Sequence, residues 1–150
     1  MIVRTLATFQ TTLPDDRIER DDGSDFIRWP GLNVAQAVAD LLRAIGWTAD
    51  DPIDLEHRGW DLDPDLGSKG IRIRISLIDE VIVDITDRTP DWTWFFRRKP
   101  GSVFIRMVTE LDKALKADGR FWDIRWYTFK GYPTEAGASV PIDVQPMDNP

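Results

Sequence analysis

His57 is the chain's one histidine, so imidazole chemistry of any kind rests on that residue. A nucleophilic triad needs such a base beside a hydroxyl or thiol, with an acid to orient it. Ser68 is a candidate hydroxyl, but no G-x-S-x-G elbow marks it. Asp61, Asp63 and Asp65 stand at alternate positions, like the opening of a calcium loop. That loop also wants Gly at its sixth place and Glu at its twelfth. Leu66 and Arg72 occupy those places here, so the EF-hand reading fails and a solvated acidic turn is the simpler expectation. Asp79 and Glu80 could pair for acid–base work, yet they fall in an expected hairpin loop, where polar residues are ordinary. Arg97, Arg98 and Lys99 precede Pro100-Gly101-Ser102 at the start of a predicted helix. Cations beside free helix N–H groups can hold a phosphate or carboxylate. No Walker-type glycine loop accompanies them, and three solvated cations at a strand end are the plain alternative. No cofactor or metal set emerges, and a non-catalytic role is favoured.

These residues must be carried by elements that the apolar periodicity outlines. Residues 2–9 read as a strand, and residues 14–25, rich in charge with Pro14 and Gly23, as a mobile loop. Val34, Ala37, Val38, Leu41, Leu42 and Ile45 form one helical stripe, with Asn33 placed to cap its start and Gly46 to end it. Residues 54–62 read as a strand whose apolar parity changes near Gly59, predicting a bulge there. Ile71, Ile73, Ile75 and Leu77 then alternate with polar residues, as do Val81, Val83 and Ile85. Pairing Leu77 with Val81 sets Ile75 opposite Val83, Ile73 opposite Ile85 and Arg74 opposite Asp84; a slip of one residue would oppose Ile75 to Asp84. A further strand is expected over 92–97, a helix from about Val103 to Ala117 between Ser102 and Gly119, and a last strand over 122–129. In that strand Trp122, Ile124 and Trp126 share parity and are expected in the core.

The expected architecture is α+β: an antiparallel sheet of about four to six strands with two helices packed on one face. Residues 1–130 form a single domain, and the Pro- and Gly-containing acidic segment 131–150 is a tail that is ordered only if it docks.

The chain has no cysteine, which excludes disulfides, thiol nucleophiles and cysteine-ligated metals and suits a cytoplasmic setting. No signal-peptide pattern opens it, and no run approaches the ~18 apolar residues of a membrane span. The net charge of −7 disfavours nucleic acid and anionic membranes as partners. Residues 15–25 hold six acids against two arginines and residues 131–150 three acids against none, which together account for that excess. Both segments are therefore expected to be separable from the fold. Within the rest, residues 50–65 carry seven acids and Arg58, whereas residues 97–130 carry nine basic and four acidic side chains. If these regions lie apart the molecule is dipolar; if together, they neutralise each other.

Seven tryptophans add anchors of the kind enriched at binding hot spots. Trp92 and Trp94 share one face of their strand with Phe95 on the other, so both faces are expected to be covered, the second by the tail, a second copy or a partner.

In size, acidity and element order the chain resembles the small acidic immunity proteins that neutralise bacterial toxins. The resemblance implies a protein-binding module, with Asp54, Glu56, Asp61, Asp63 and Asp65 meeting a basic protein and Trp60, Trp92, Trp94 and Tyr127 as aromatic anchors. Two alternatives stay open. One is a small-molecule binder or enzyme with a pocket around His57 between helices and sheet; the other is anion recognition at Arg97, Arg98 and Lys99, helped by Arg106. Homo-oligomers are compatible with all three.

Overall fold

The computed structural model describes residues 1–56, 58–64, 70–88 and 101–144. Ten strands and two helices occur among them: β1 (Ile2–Val3), β2 (Leu6–Thr11), β3 (Ile18–Glu19), β4 (Phe26–Arg28), α1 (Leu32–Ala44), β5 (Ile53–Asp54), β6 (Trp60–Leu62), β7 (Ile71–Leu77), β8 (Val81–Asp87), α2 (Ser102–Ala117), β9 (Phe121–Tyr127) and β10 (Ile142–Asp143). The fold is α+β. Six strands form one antiparallel sheet in the order β5-β6-β7-β8-β2-β9, and β1-β10 and β3-β4 pair separately.

The β7–β8 hairpin has the register its alternation predicts. Leu77 faces Val81, Ile75 faces Val83, Ile73 faces Ile85 and Arg74 faces Asp84. All the isoleucines and valines of that set are buried on one face. Against this face lie Val34, Val38 and Leu42 of α1 and Phe104, Met107, Val108, Leu111 and Leu115 of α2, in one core with Phe9 and Trp126. Each amphipathic helix buries its stripe, and the sheet supplies the apolar surface that receives both.

Helix α1 ends as expected. Gly46 sits at φ 100°, its N–H donates to the Arg43 carbonyl, and the Trp47 N–H donates to that of Leu42. This is the paired bond arrangement of a glycine-terminated helix. The start is different. The helix begins at Leu32, so Asn33 is already inside the first turn and cannot cap it. The cap comes from Asp16, whose carboxylate accepts the Gly31 N–H at 3.0 Å and the Asn33 N–H at 2.7 Å.

The acidic segment around Asp16 is correspondingly built into the fold. β3 pairs with β4, Arg28 donates to the Asp16 carbonyl at 3.0 Å, and the Phe26 and Trp29 rings meet edge to face at 4.8 Å. Residues 18–28 form a hairpin, tied to the start of α1 through Asp16.

Residues 53–62 also differ from expectation. β5 and β6 are two short paired strands there, with Ile53 opposite Asp61 and Asp54 opposite Trp60. The parity change near Gly59 is a chain reversal, not a bulge. A bulge lies in β9: pairing with β2 shifts between Thr8 and Gln10, and Asp123 adopts φ 54°. Trp126 stays in the core while Trp122 is turned out and 48% exposed.

Past β9 the chain returns along the sheet edge. Trp126 and Ala138 exchange two backbone bonds of 2.8 Å. The Glu135 carboxylate accepts from the Thr128 N–H and hydroxyl. Lys116 donates to the Ser139 carbonyl, and β10 pairs with β1. Residues 131–144 are docked. The strand expected over 92–97 lies outside the described residues.

Candidate functional site

The acidic segment lies at one edge of the sheet. Residues 50–56 and 58–63 run along β5 and β6 at that edge, and β9, which carries Asp123 and Arg125, forms the other. Five inter-strand steps of roughly 4.8 Å separate the edge strands by about 24 Å. Several cations around α2 and β9 are paired locally: Lys116 bonds Asp112 at 2.7 Å, Arg120 bonds Asp118 at 2.7 Å, and Arg125 bonds Asp123 at 3.0 Å. On the acidic side, Arg43 of α1 bonds Asp51 and Arg72 of β7 bonds Asp61. None of these bridges joins residues 50–63 to residues 101–130.

The acids of the 50–63 segment divide into two groups. Asp51, Asp54 and Glu56 are exposed along the edge, and Ile53 among them is 51% exposed. The Asp54 carboxylate accepts the Glu56 N–H at 2.9 Å, which holds Glu56 at φ 37°. Asp61 and Asp63 are each only 7% exposed. Asp61 is held by Arg72 at 2.8 Å. The Asp63 N–H donates to the Asp50 carboxylate at 2.8 Å, while the Asp50 N–H donates to the Asp63 carbonyl. These two acids brace the strand rather than face outward.

Among the aromatic anchors, Trp60 turns into the core and its indole N–H is buried without a hydrogen bond. Tyr127 is half-buried, edge to face with Tyr132 at 5.2 Å, so the returning tail covers it. The exposed large side chains include Trp122, Ile53, Ile78 and Ile27. Sequence parity missed Trp122; the cue was Asp123, since aspartate tolerates the left-handed conformation that a bulge uses. His57, Asp65, Ser68, Trp92, Trp94, Arg97, Arg98 and Lys99 lie outside the described residues. Arg106 is exposed on α2, stacked over Trp47 at 5.2 Å and near Glu110.

The outer face of the sheet carries a charged row. Arg74 stands between Asp61 on β6 and Asp84 on β8, and its Nε is buried without a hydrogen bond. Burial pushes the Asp84 carboxyl above the usual carboxylate range, with Arg74 opposing that shift in part. No family model, curated protein or solved structure matches this chain. Among the described residues, no helix is long and apolar enough to cross a membrane, and no group of three or more side chains could hold a metal ion.

Proposed function

We propose that this chain is a protein-binding module whose acidic edge docks a basic protein, as an immunity-type inhibitor would neutralise a toxin or enzyme by surface complementarity. The supporting observation is the row Asp51, Ile53, Asp54 and Glu56. It is exposed at one edge of the sheet. An exposed acidic row orients a basic partner during encounter and speeds productive association. Ile53 supplies apolar area within the acidic row, which a docked surface would cover. A bacterial cytoplasm suits this reading, in keeping with a chain that has no cysteine.

The test is affinity capture from the native host at low and high salt, with mass spectrometry of what is retained. Wild type should hold a stoichiometric basic protein that high salt releases. The Asp54→Asn, Glu56→Gln double variant removes two charges and keeps an acceptor for the Glu56 backbone, so it should fold. It should bind that protein on the order of tenfold more weakly. A chain that elutes alone with a bound metabolite would overturn the proposal in favour of a small-molecule role.

A further inference from the structure

Where β2 runs past the β7–β8 turn, the surface opens into a cleft of about 220 Å³. Phe9 and Val81, the last facing pair of those strands, lie at its base and are fully buried. Half-buried Leu13 and Leu77 form its walls, and none of its lining residues is basic.

Three acids line it, and they are not equivalent. Asp15 is bonded to Arg17 at 2.5 Å and contributes little free charge. Asp79 and Glu80 make no side-chain hydrogen bond or ion pair among the described residues. Arg125 lies near enough to feel the charge of Glu80 without bonding it. Beside them Ile78 stands 70% exposed at the turn.

We infer that this cleft is a socket for a single arginine side chain of the protein partner, with its stem against Leu13 and Leu77 and its guanidinium at Asp79 and Glu80. The volume is below the roughly 300–1,000 Å³ of pockets that enclose whole small molecules, and it suits one long side chain. Leu13 and Leu77, within an otherwise largely polar lining under a charged rim, match an amphipathic stem with a cationic head. Two adjacent unpaired carboxylates match the forked donors of a guanidinium better than a point charge. A metal ion is a poorer occupant, because these acids do not form a metal-holding group. Ile78 would be covered by the surface around that arginine, excluding water from the contact. The assignment rests on reading the chain as a protein-binding module, but its test needs no knowledge of the partner.

The isotope-labelled full chain would be titrated with the capped tripeptide Gly-Arg-Gly and followed by the shifts of its backbone amides. Saturable shifts confined to residues 9–15 and 77–81 are expected, absent with the citrulline analogue. They should weaken roughly tenfold in the Asp79→Asn, Glu80→Gln double variant. Shifts spread equally over residues 15–25 and 50–56, or an unchanged affinity in that variant, would overturn the socket. An equal response to the lysine tripeptide would reject the arginine assignment. The Asp54→Asn, Glu56→Gln variant should leave this titration unchanged, which separates the two proposals. Peptide binding without partner capture rejects the edge alone, and capture without peptide binding rejects the socket alone.

Discussion

The indole N–H of Trp126 donates to the carboxylate of Asp112 at 2.7 Å inside the core. Trp126 is fully buried and Asp112 is 6% exposed. The second Asp112 oxygen is held by Lys116 one turn later on α2, also at 2.7 Å. This bond fastens α2 to β9, the strand beside which the returning tail also docks. Asp112→Ala leaves the indole N–H unsatisfied and the lysine unpaired, so it should cost about 2–3 kcal/mol. Asp112→Asn keeps an acceptor and should cost about half as much. Lys116→Met, at a half-exposed position, should cost less than 1 kcal/mol. Urea denaturation followed by tryptophan fluorescence would read all three, and equal losses in the three variants would contradict this ordering.

Asp16 is the second long-range fastening. Its carboxylate satisfies two N–H groups at the start of α1 from fifteen and seventeen residues away. Asp16→Ala should therefore cost about 1–2 kcal/mol, the usual range for a lost helix cap. Asn33→Ala removes only a bond to the Pro14 carbonyl and should cost under 1 kcal/mol. The contrast discriminates the two caps by chemical denaturation. It also bears on the acidity of residues 15–25: deleting that segment removes the cap along with the charge, so the fold would be weakened, not merely neutralised.

What the sequence made legible was what local alternation and local chemistry decide. The β7–β8 register followed from period-two isoleucines and valines with Arg74 and Asp84 on the other face, because a one-residue slip would bury a charge. The Gly46 helix end followed from glycine's tolerance of positive φ. Asp16 could not be found this way, since nothing near Asn33 announces a partner in a distant loop. Gly59 was seen as an irregularity, but a bulge and a reversal give the same parity change. The acidic 50–65 segment was visible as composition. Its division into exposed Asp54 and Glu56 and buried Asp61 and Asp63 was not, because it depends on Arg72 and on the Asp50 side chain reaching across.

Gly59 sits at φ 103°, a conformation that side chains rarely adopt, and closes the β5–β6 reversal through its carbonyl, which accepts the Leu55 N–H at 3.0 Å. A Cβ there would collide with the Ile75 carbonyl oxygen of β7. Gly46 has a similar φ of 100°, but a Cβ would meet nothing within 4 Å. Gly46→Ala should thus cost about 1 kcal/mol, from the left-handed backbone alone. Gly59→Ala adds the clash and should cost about 3 kcal/mol or more. It should also loosen the acidic edge that carries Asp54 and Glu56. Thermal denaturation of both variants, with amide exchange at residues 53–62, would test this; equal losses would show that the Ile75 approach relaxes freely.

Asp84 gives the fold a pH dependence of definite sign. Burial raises its carboxyl above the ordinary value of 3.8, and Arg74 across the hairpin recovers only part of that shift. The folded state therefore holds this proton more tightly than the unfolded chain does. Its stabilising contribution is fully present below the unfolded value and is lost as pH rises through the folded one. Asp84→Asn removes a half-buried carboxyl whose charged form burial disfavours, while leaving Asp61 to face Arg74 from the other side. The variant should be more stable than wild type near pH 7, with an advantage that shrinks toward zero at about pH 3.5. Urea midpoints measured for both proteins across that range would show the convergence. A variant less stable than wild type at pH 7 but not at low pH would mean that the Arg74 charge outweighs burial, reversing the sign.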